Sequence, residues 1–207
     1  MEVMLDNGLS ELGVSLSAEQ HRQLETYWSE LALWNGKYGL VNASGEALVV
    51  KHFLDSLSAV PVLKNMSFDT ACDVGSGGGF PGLVLATAFP DKKFTLIERS
   101  GKKALFLANT AVMMHTSNVE VKAEDADLVK EQFDLVLFRA LGQFTQYFPT
   151  LYRLTADRGH LFAFKGRKEE IQHEVQSLAA EIQRKTEIKA AHVPFLEDER
   201  NFVIIER

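Results

Sequence analysis

The chain has a single cysteine, Cys72, in 207 residues. A lone thiol forms no internal disulfide and no multi-cysteine metal site. No apolar run approaches the roughly 20 residues that a membrane-spanning helix needs, so no membrane partner is expected. The opening stretch MEVMLDNGLSELG is acidic and has no basic segment followed by a hydrophobic one, so no secretory leader is expected. These absences predict a cytoplasmic protein. Positive charge is also scarce: 22 Lys and Arg against 28 Asp and Glu give a net charge of −6, whereas proteins dominated by phosphate contacts are usually basic. Three stretches run against that balance, ERSGKK (98–103), KGRK (165–168) and QRKTEIK (183–189). Each reads equally as a solvated helix end or as a contact for an anionic partner.

What is present has a clear organisation. Residues 1–65 read as helical. Ser17 followed by Gln20 has capping-box spacing, and Leu24, Trp28, Leu31, Trp34 and Tyr38 then recur at three and four residues, predicting one buried face. The stretch NGKYG (35–39) predicts the end of that helix. A second helix is expected over about 45–60, stopping at Pro61 and carrying His52, Asp55 and Ser56 on one side. From residue 67 the pattern changes. FDTACDV (68–74), KFTLIE (93–98), VEV (119–121), FDLVLF (133–138) and HLFAF (160–164) read as short strands, separated by helical stretches near 81–88, 101–115, 143–154 and 168–185. Such alternation predicts a mostly parallel sheet covered on both faces. EIKAAHV and NFVIIE are joined by PFLEDER alone, too short for a parallel crossover, so they are expected to form an antiparallel hairpin. The fold class is therefore α/β, a Rossmann-like seven-stranded sheet. Residues 1–65 form an N-terminal helical extension packed on a domain of residues 66–207, the two making effectively one globular unit.

Five glycines crowd into DVGSGGGFPG (73–82), directly after the first predicted strand. A Walker-A loop would end in Gly-Lys-Ser/Thr, and GGFPGLV has neither the lysine nor the hydroxyl. Gly77, Gly79 and Gly82 do satisfy G-x-G-x-x-G, with Glu98 16 residues on, as in a dinucleotide fold. Yet Asp73 precedes Gly75 by two residues, giving Asp-x-Gly-x-Gly-x-Gly, the arrangement of S-adenosylmethionine sites. Phe80 and Pro81 also fill the helix entry, where a pyrophosphate needs free N–H groups. The sulfonium cofactor suits the residue types. Asp73 is placed to meet its ammonium, directly or through water; Gly75, Gly77 and Gly79 permit close approach of the backbone. Glu98, ending the second strand, can accept both ribose hydroxyls, and KAED (122–125) follows the third strand where an adenine would lie. Taken singly, Asp73 is equally a turn former, Glu98 a helix-start charge and Glu124 a surface residue. Their order after successive strands favours a class I methyltransferase. No metal site is read from the sequence.

At this point the chain resembles the RsmG (GidB) family of bacterial rRNA methyltransferases, which modify N7 of a guanine in 16S ribosomal RNA. The resemblance spans nearly the whole chain and is carried by LWNGKYGL (33–40), KHFLDSL (51–57), DVGSGGGFPG (73–82), FTLIERSGKKALFL (94–107), FDLVLFRA (133–140), FAFKG (162–166) and DERNFVIIE (198–206). It implies cofactor contacts at Gly75, Phe80, Ala123, Glu124 and Arg139. It also implies RNA-side groups at Arg139, Lys165 and Arg200, with His52 and Asp55 facing the cleft. For those last two, a buried hydrogen-bonded pair is the alternative. The implied partner is 16S ribosomal RNA or the small subunit, assembly intermediates included, and the implied state a monomer. The chain departs from the family pattern at Gly39-Leu40-Val41, where Asn-Leu-Thr is usual, at Phe138 in place of serine, and at Lys122 in place of arginine. Guanine N7 has an in-plane lone pair, so no catalytic acid or base is expected.

Overall fold

A computed structural model of the chain describes residues 1–142 and 144–207. Seven strands make one sheet: β1 (Thr70–Val74), β2 (Lys93–Ile97), β3 (Val119–Lys122), β4 (Phe133–Arg139), β5 (Thr155–Lys165), β6 (Thr186–Ala191) and β7 (Arg200–Glu206), in the order β3-β2-β1-β4-β5-β7-β6. Strands β1 to β5 are parallel to one another, and β7 enters antiparallel between β5 and β6. The expected hairpin is present, with its second strand inserted against β5. Burial explains why. Asn201 to Ile205 of β7 are buried in an unbroken run, which needs neighbours on both edges, whereas β6 alternates half-buried and exposed residues and suits a sheet edge.

The helices differ in detail from the sequence pattern. Helix α1 (Glu2–Leu12) is followed by α2 (Ala18–Tyr38), whose Ser17–Gln20 capping box is closed in both directions. Helix α2 ends within NGKYG as expected, at Tyr38, where Gly39 at φ 58° caps it. Asn35 is held in the helix because its amide group bonds both the N–H and the carbonyl of Val41. The fully buried face is Leu24, Tyr27 and Leu31, one step round from the expected stripe, with Trp28 and Trp34 half-buried. The second helix is not uniform. It consists of α3 (Gly45–Leu48), a π-helical turn (Val49–Leu54) and α4 (Asp55–Leu57). Pro61 does not stop it; it sits in the first turn of α5 (Val60–Leu63), where its missing N–H is harmless. Helices α6 (Gly82–Ala88) and α7 (Gly101–Met113) follow β1 and β2, and α8 (Phe144–Leu154) follows β4. The predicted start of α8, residue 143, lies outside the described residues. The expected 168–185 helix is split into α9 (Lys168–Gln176) and α10 (Ala180–Arg184). Among the described residues no helix is long and apolar enough to cross a membrane.

Strand parity fixes which side chains share a face. Ala71, Leu135, Leu137, Phe162, Phe164, Phe202 and Ile204 join the core formed with α1, α2, the π-helical turn, α6 and α7. Cys72, Val74, Val136, Phe138, Leu161, Ala163 and Val203 join the opposite core with α8 and α9. By the same count Asp73, Arg139 and Arg200 fall on the N-terminal side of the sheet and Lys165 on the other. That parity decides the composition of the site.

Candidate active site

The strand order reverses between β1 and β4, and a doubly wound sheet opens its ligand crevice at the C-terminal ends of such strands. The glycine loop leaves β1 at that point. Gly75, Gly77 and Gly79 have φ of 72°, 55° and 98°, a region that side chains avoid. The amides of Gly75 and Ser76 both donate to the Ile97 carbonyl at 2.9 and 3.2 Å, tying the loop to the end of β2. Glu98 holds it from the side: one carboxylate oxygen accepts from Gly77 N at 2.9 Å and the other from Ser100 N at 2.8 Å. Tyr27 closes it from below, its hydroxyl donating to the Gly78 carbonyl at 2.5 Å. Burial raises the Tyr27 pKa well above the usual value, so the phenol keeps the proton it donates. A Cβ on Gly79 would lie 2.6 Å from that hydroxyl oxygen.

Asp73 lies under the loop. Its Oδ2 accepts from Gly82 N at 2.9 Å, and its Oδ1 is buried with no hydrogen-bond partner. Burial pushes this carboxyl up to about 7, although the Gly82 N–H and the Arg139 charge pull the other way.

Across the crevice, Arg139 at the end of β4 is gripped by the π-helical turn and α4. Its Nη1 donates to Asp55 Oδ2 at 2.8 Å and to the Lys51 carbonyl at 3.1 Å, and its Nη2 lies 2.6 Å from His52 Nδ1. Arg200 of β7 reaches the other oxygen of Asp55, Nε to Oδ1, at 3.2 Å. One buried carboxylate therefore joins two guanidinium groups from different strands. Phe80 packs against the cluster, its ring centroid 4.9 Å from the His52 ring and 5.5 Å from the Arg139 guanidinium. Burial, then the Arg139 and Lys51 charges, hold the His52 pKa at about 3, so the imidazole is neutral. Lys165 faces the other way. Its ammonium pairs with Glu174 at 2.8 Å and lies over the rings of Phe138 and Phe144 at 5.8 and 5.2 Å.

Two cavities meet along this crevice. One, of about 720 Å³, is lined by His52, Gly75, Gly77, Phe80, Arg139, Lys165 and Arg200 among others. The second, of about 520 Å³, is lined by Gly75, Glu98, Glu124, Tyr147 and their neighbours. Gly75 and Ala140 belong to both, so the two form a trough across the ends of β2, β1 and β4. The family model described as rRNA small subunit methyltransferase G matches residues 20–203. The chain belongs to this GidB family.

Curated GidB relatives agree over the full length. The ribosomal RNA small subunit methyltransferase G of Borrelia turicatae (strain 91E135) is 32% identical over 199 residues, 95% of each chain. That of Francisella tularensis subsp. tularensis (strain FSC 198) is 32% identical over 211 residues, covering 100% of this chain and 99% of the relative. Among solved structures, the putative methyltransferase yhhF from Escherichia coli shares the fold at a TM-score of 0.57 and 13% identity, over 81% of this chain and 90% of that one. Of the residues that the GidB resemblance and the motif singled out, Gly75, Gly77, Phe80, Arg139, His52, Lys165 and Arg200 line the first cavity, and Glu98 and Glu124 the second. Asp73, Gly79 and Ala123 line neither. Asp73 lies beneath the loop: its one paired oxygen is directed at Gly82, where a Cβ would lie 2.6 Å away, so it shapes the helix entry. His52 and Asp55 are not bonded to each other but through Arg139, which combines the two alternatives read from the sequence. Tyr27 was missed. Its signal is the Leu24–Tyr27–Leu31 spacing, masked by the neighbouring tryptophans.

Proposed function

We propose that this chain uses S-adenosylmethionine to methylate N7 of a guanine in 16S ribosomal RNA. The observation that carries the reading is the trough itself. Backbone with positive φ at Gly75 and Gly77 faces an open crevice, the Glu98 carboxylate stands at one end, and an anchored guanidinium stands at the other. These groups fit the cofactor. Glu98 and Glu124 would hold its ribose and adenine end, the Gly75–Gly77 backbone its centre, and Phe80 and Arg139 would border its reacting end. When bound, it supplies an electrophilic methyl group.

The protein's own contribution is placement. N7 of guanine is nucleophilic without losing a proton, so the chain needs no general base at that atom. Fixing two reactants in line is worth effective molarities of about 10⁵–10⁸ M. Asp55 and the Lys51 carbonyl hold Arg139 rigidly, so its remaining N–H groups present a fixed donor edge to the cavity. Arg200 and Lys165 add cationic groups for RNA phosphates. Because His52 and Asp55 come from the extension of residues 1–65 and Arg139 from the domain of residues 66–207, both parts act as one catalytic unit, and a monomer suffices. The reading places the enzyme in the cytoplasm, acting on the small subunit or an assembly intermediate.

The test is transfer of labelled methyl from the cofactor to small-subunit RNA. Label in RNA that weakens steeply with salt, and that falls about a hundredfold or more in Arg139→Ala assayed at a temperature where circular dichroism shows it folded, supports the reading. Cofactor binding without any label in RNA would remove it.

A further inference from the structure

Arginine has five N–H donors and no acceptor. Where its Nη2 approaches His52 Nδ1 at 2.6 Å, the ring nitrogen must therefore present its lone pair. A neutral imidazole then carries its proton on Nε2. The ring is fixed in position as well as in tautomer: Phe80 packs against it at a tilt, centroids 4.9 Å apart, and the π-helical turn that bears it also supplies the Lys51 carbonyl to the same guanidinium. Nε2 has no hydrogen-bond partner among the described residues. Among the described residues, the buried side-chain polar atoms lacking a partner are Asp73 Oδ1 and Thr110 Oγ1, so Nε2 keeps contact with solvent, on the cavity that His52 lines. The cavity thus holds an obligate, oriented, neutral N–H donor.

We propose that His52 is the specificity-determining residue of this site, its Nε2–H donating to O6 of the guanine whose N7 accepts the methyl group. The inference rests on the methyl-transfer reading above and adds the residue that reads the base. O6 lies beside N7 on the same edge of guanine, so a donor fixed next to the reacting position contacts it. Adenine presents an amino group there, and two N–H groups would face each other. The cations lining the cavity, Lys51, Arg139, Lys165 and Arg200, are poorly suited to this contact, because the ring gains positive charge as the methyl arrives. A neutral donor identifies O6 without opposing that charge. Asn42 also lines the cavity and is neutral, but it is exposed and no hydrogen bond from the described residues fixes its side chain. The capped Nδ1 and protonated Nε2 leave His52 no lone pair to act as a base.

The test uses small subunits reconstituted around ligated rRNA that carries either guanine or 2-aminopurine, which keeps N7 and lacks O6, at the methylated position. The two bases differ in intrinsic nucleophilicity, so the readout is the change in the guanine to 2-aminopurine ratio of kcat/KM between enzymes. Loss of one oriented hydrogen bond predicts a ratio about tenfold lower in His52→Phe than in the wild type. His52→Gln, whose amide oxygen can accept from Arg139 while its nitrogen donates, recovers part of the ratio and serves if the phenylalanine variant fails to fold. An unchanged ratio in His52→Phe or, should that variant not fold, one as low in His52→Gln as direct loss predicts, overturns the assignment while leaving N7 transfer standing. A wild type that methylates no RNA at all overturns both.

Discussion

Truncating Asp55 to alanine should unfold the protein far more readily than its single position suggests. Its carboxylate side chain is 4% exposed and is shared by Arg139 at 2.8 Å and Arg200 at 3.2 Å, whose side chains are 18% and 28% exposed. Asp55→Ala leaves two like charges facing an emptied pocket. Breaking a buried ion pair by removing one partner costs about 3–5 kcal/mol. Both guanidinium groups retain some water, so the lower end applies, about 3 kcal/mol. For a chain of this size that corresponds to a fall in Tm of roughly 6–12 °C. Urea titration and calorimetry of the two proteins measure it. Asp55→Asn keeps the shape and one acceptor, and should lose about half as much. In an Arg200→Ala background, Asp55→Ala should cost less, because one cation fewer is left unpaired. A loss below about 0.5 kcal/mol, or strict additivity of the two changes, would refute the view that this carboxylate joins the extension to the sheet.

Three further outcomes are expected. Asp73 titrates at about 7 in the fold against an ordinary 3.8, so the folded state binds the extra proton between those values. Stability from this group is full below about pH 4 and is lost as pH rises through about 7, by at most about 4 kcal/mol. Relative to Asp73→Asn, the wild type should therefore weaken across that window in chemical denaturation, and parallel curves would contradict the assignment. Glu98→Gln places an amide N–H against the loop N–H groups that Glu98 now accepts, and should weaken cofactor binding about tenfold or more by calorimetry. Gly79→Ala meets both a φ of 98° and the Tyr27 hydroxyl at 2.6 Å, and should cost at least about 1–3 kcal/mol in urea titration.

Much of this arrangement was legible in the sequence, and the exceptions have physical causes. Strand positions and the crevice followed from local patterns, because alternating buried runs and a glycine cluster are local signals. The place of β7 did not follow, since pairing across the sheet depends on which strand needs two covered edges. The π-helical turn was hidden too: VVKHFL has ordinary helical composition, and only the need to bring both His52 and the Lys51 carbonyl onto Arg139 distinguishes it. Lys165 and Arg200 look equivalent as cations at strand ends, yet their parity in adjoining strands sends one toward Glu174 and the other toward Asp55. The depth of Asp73 beneath the loop was hidden as well, because motif order carries no information about depth.

In the proposed reaction the trough places guanine N7 for methyl transfer. Its most direct test is mass mapping of small-subunit RNA after reaction with the wild-type protein and labelled S-adenosylmethionine. Label is expected at one position, as 7-methylguanine. Label on another base, on another atom of guanine, or in no RNA would contradict it.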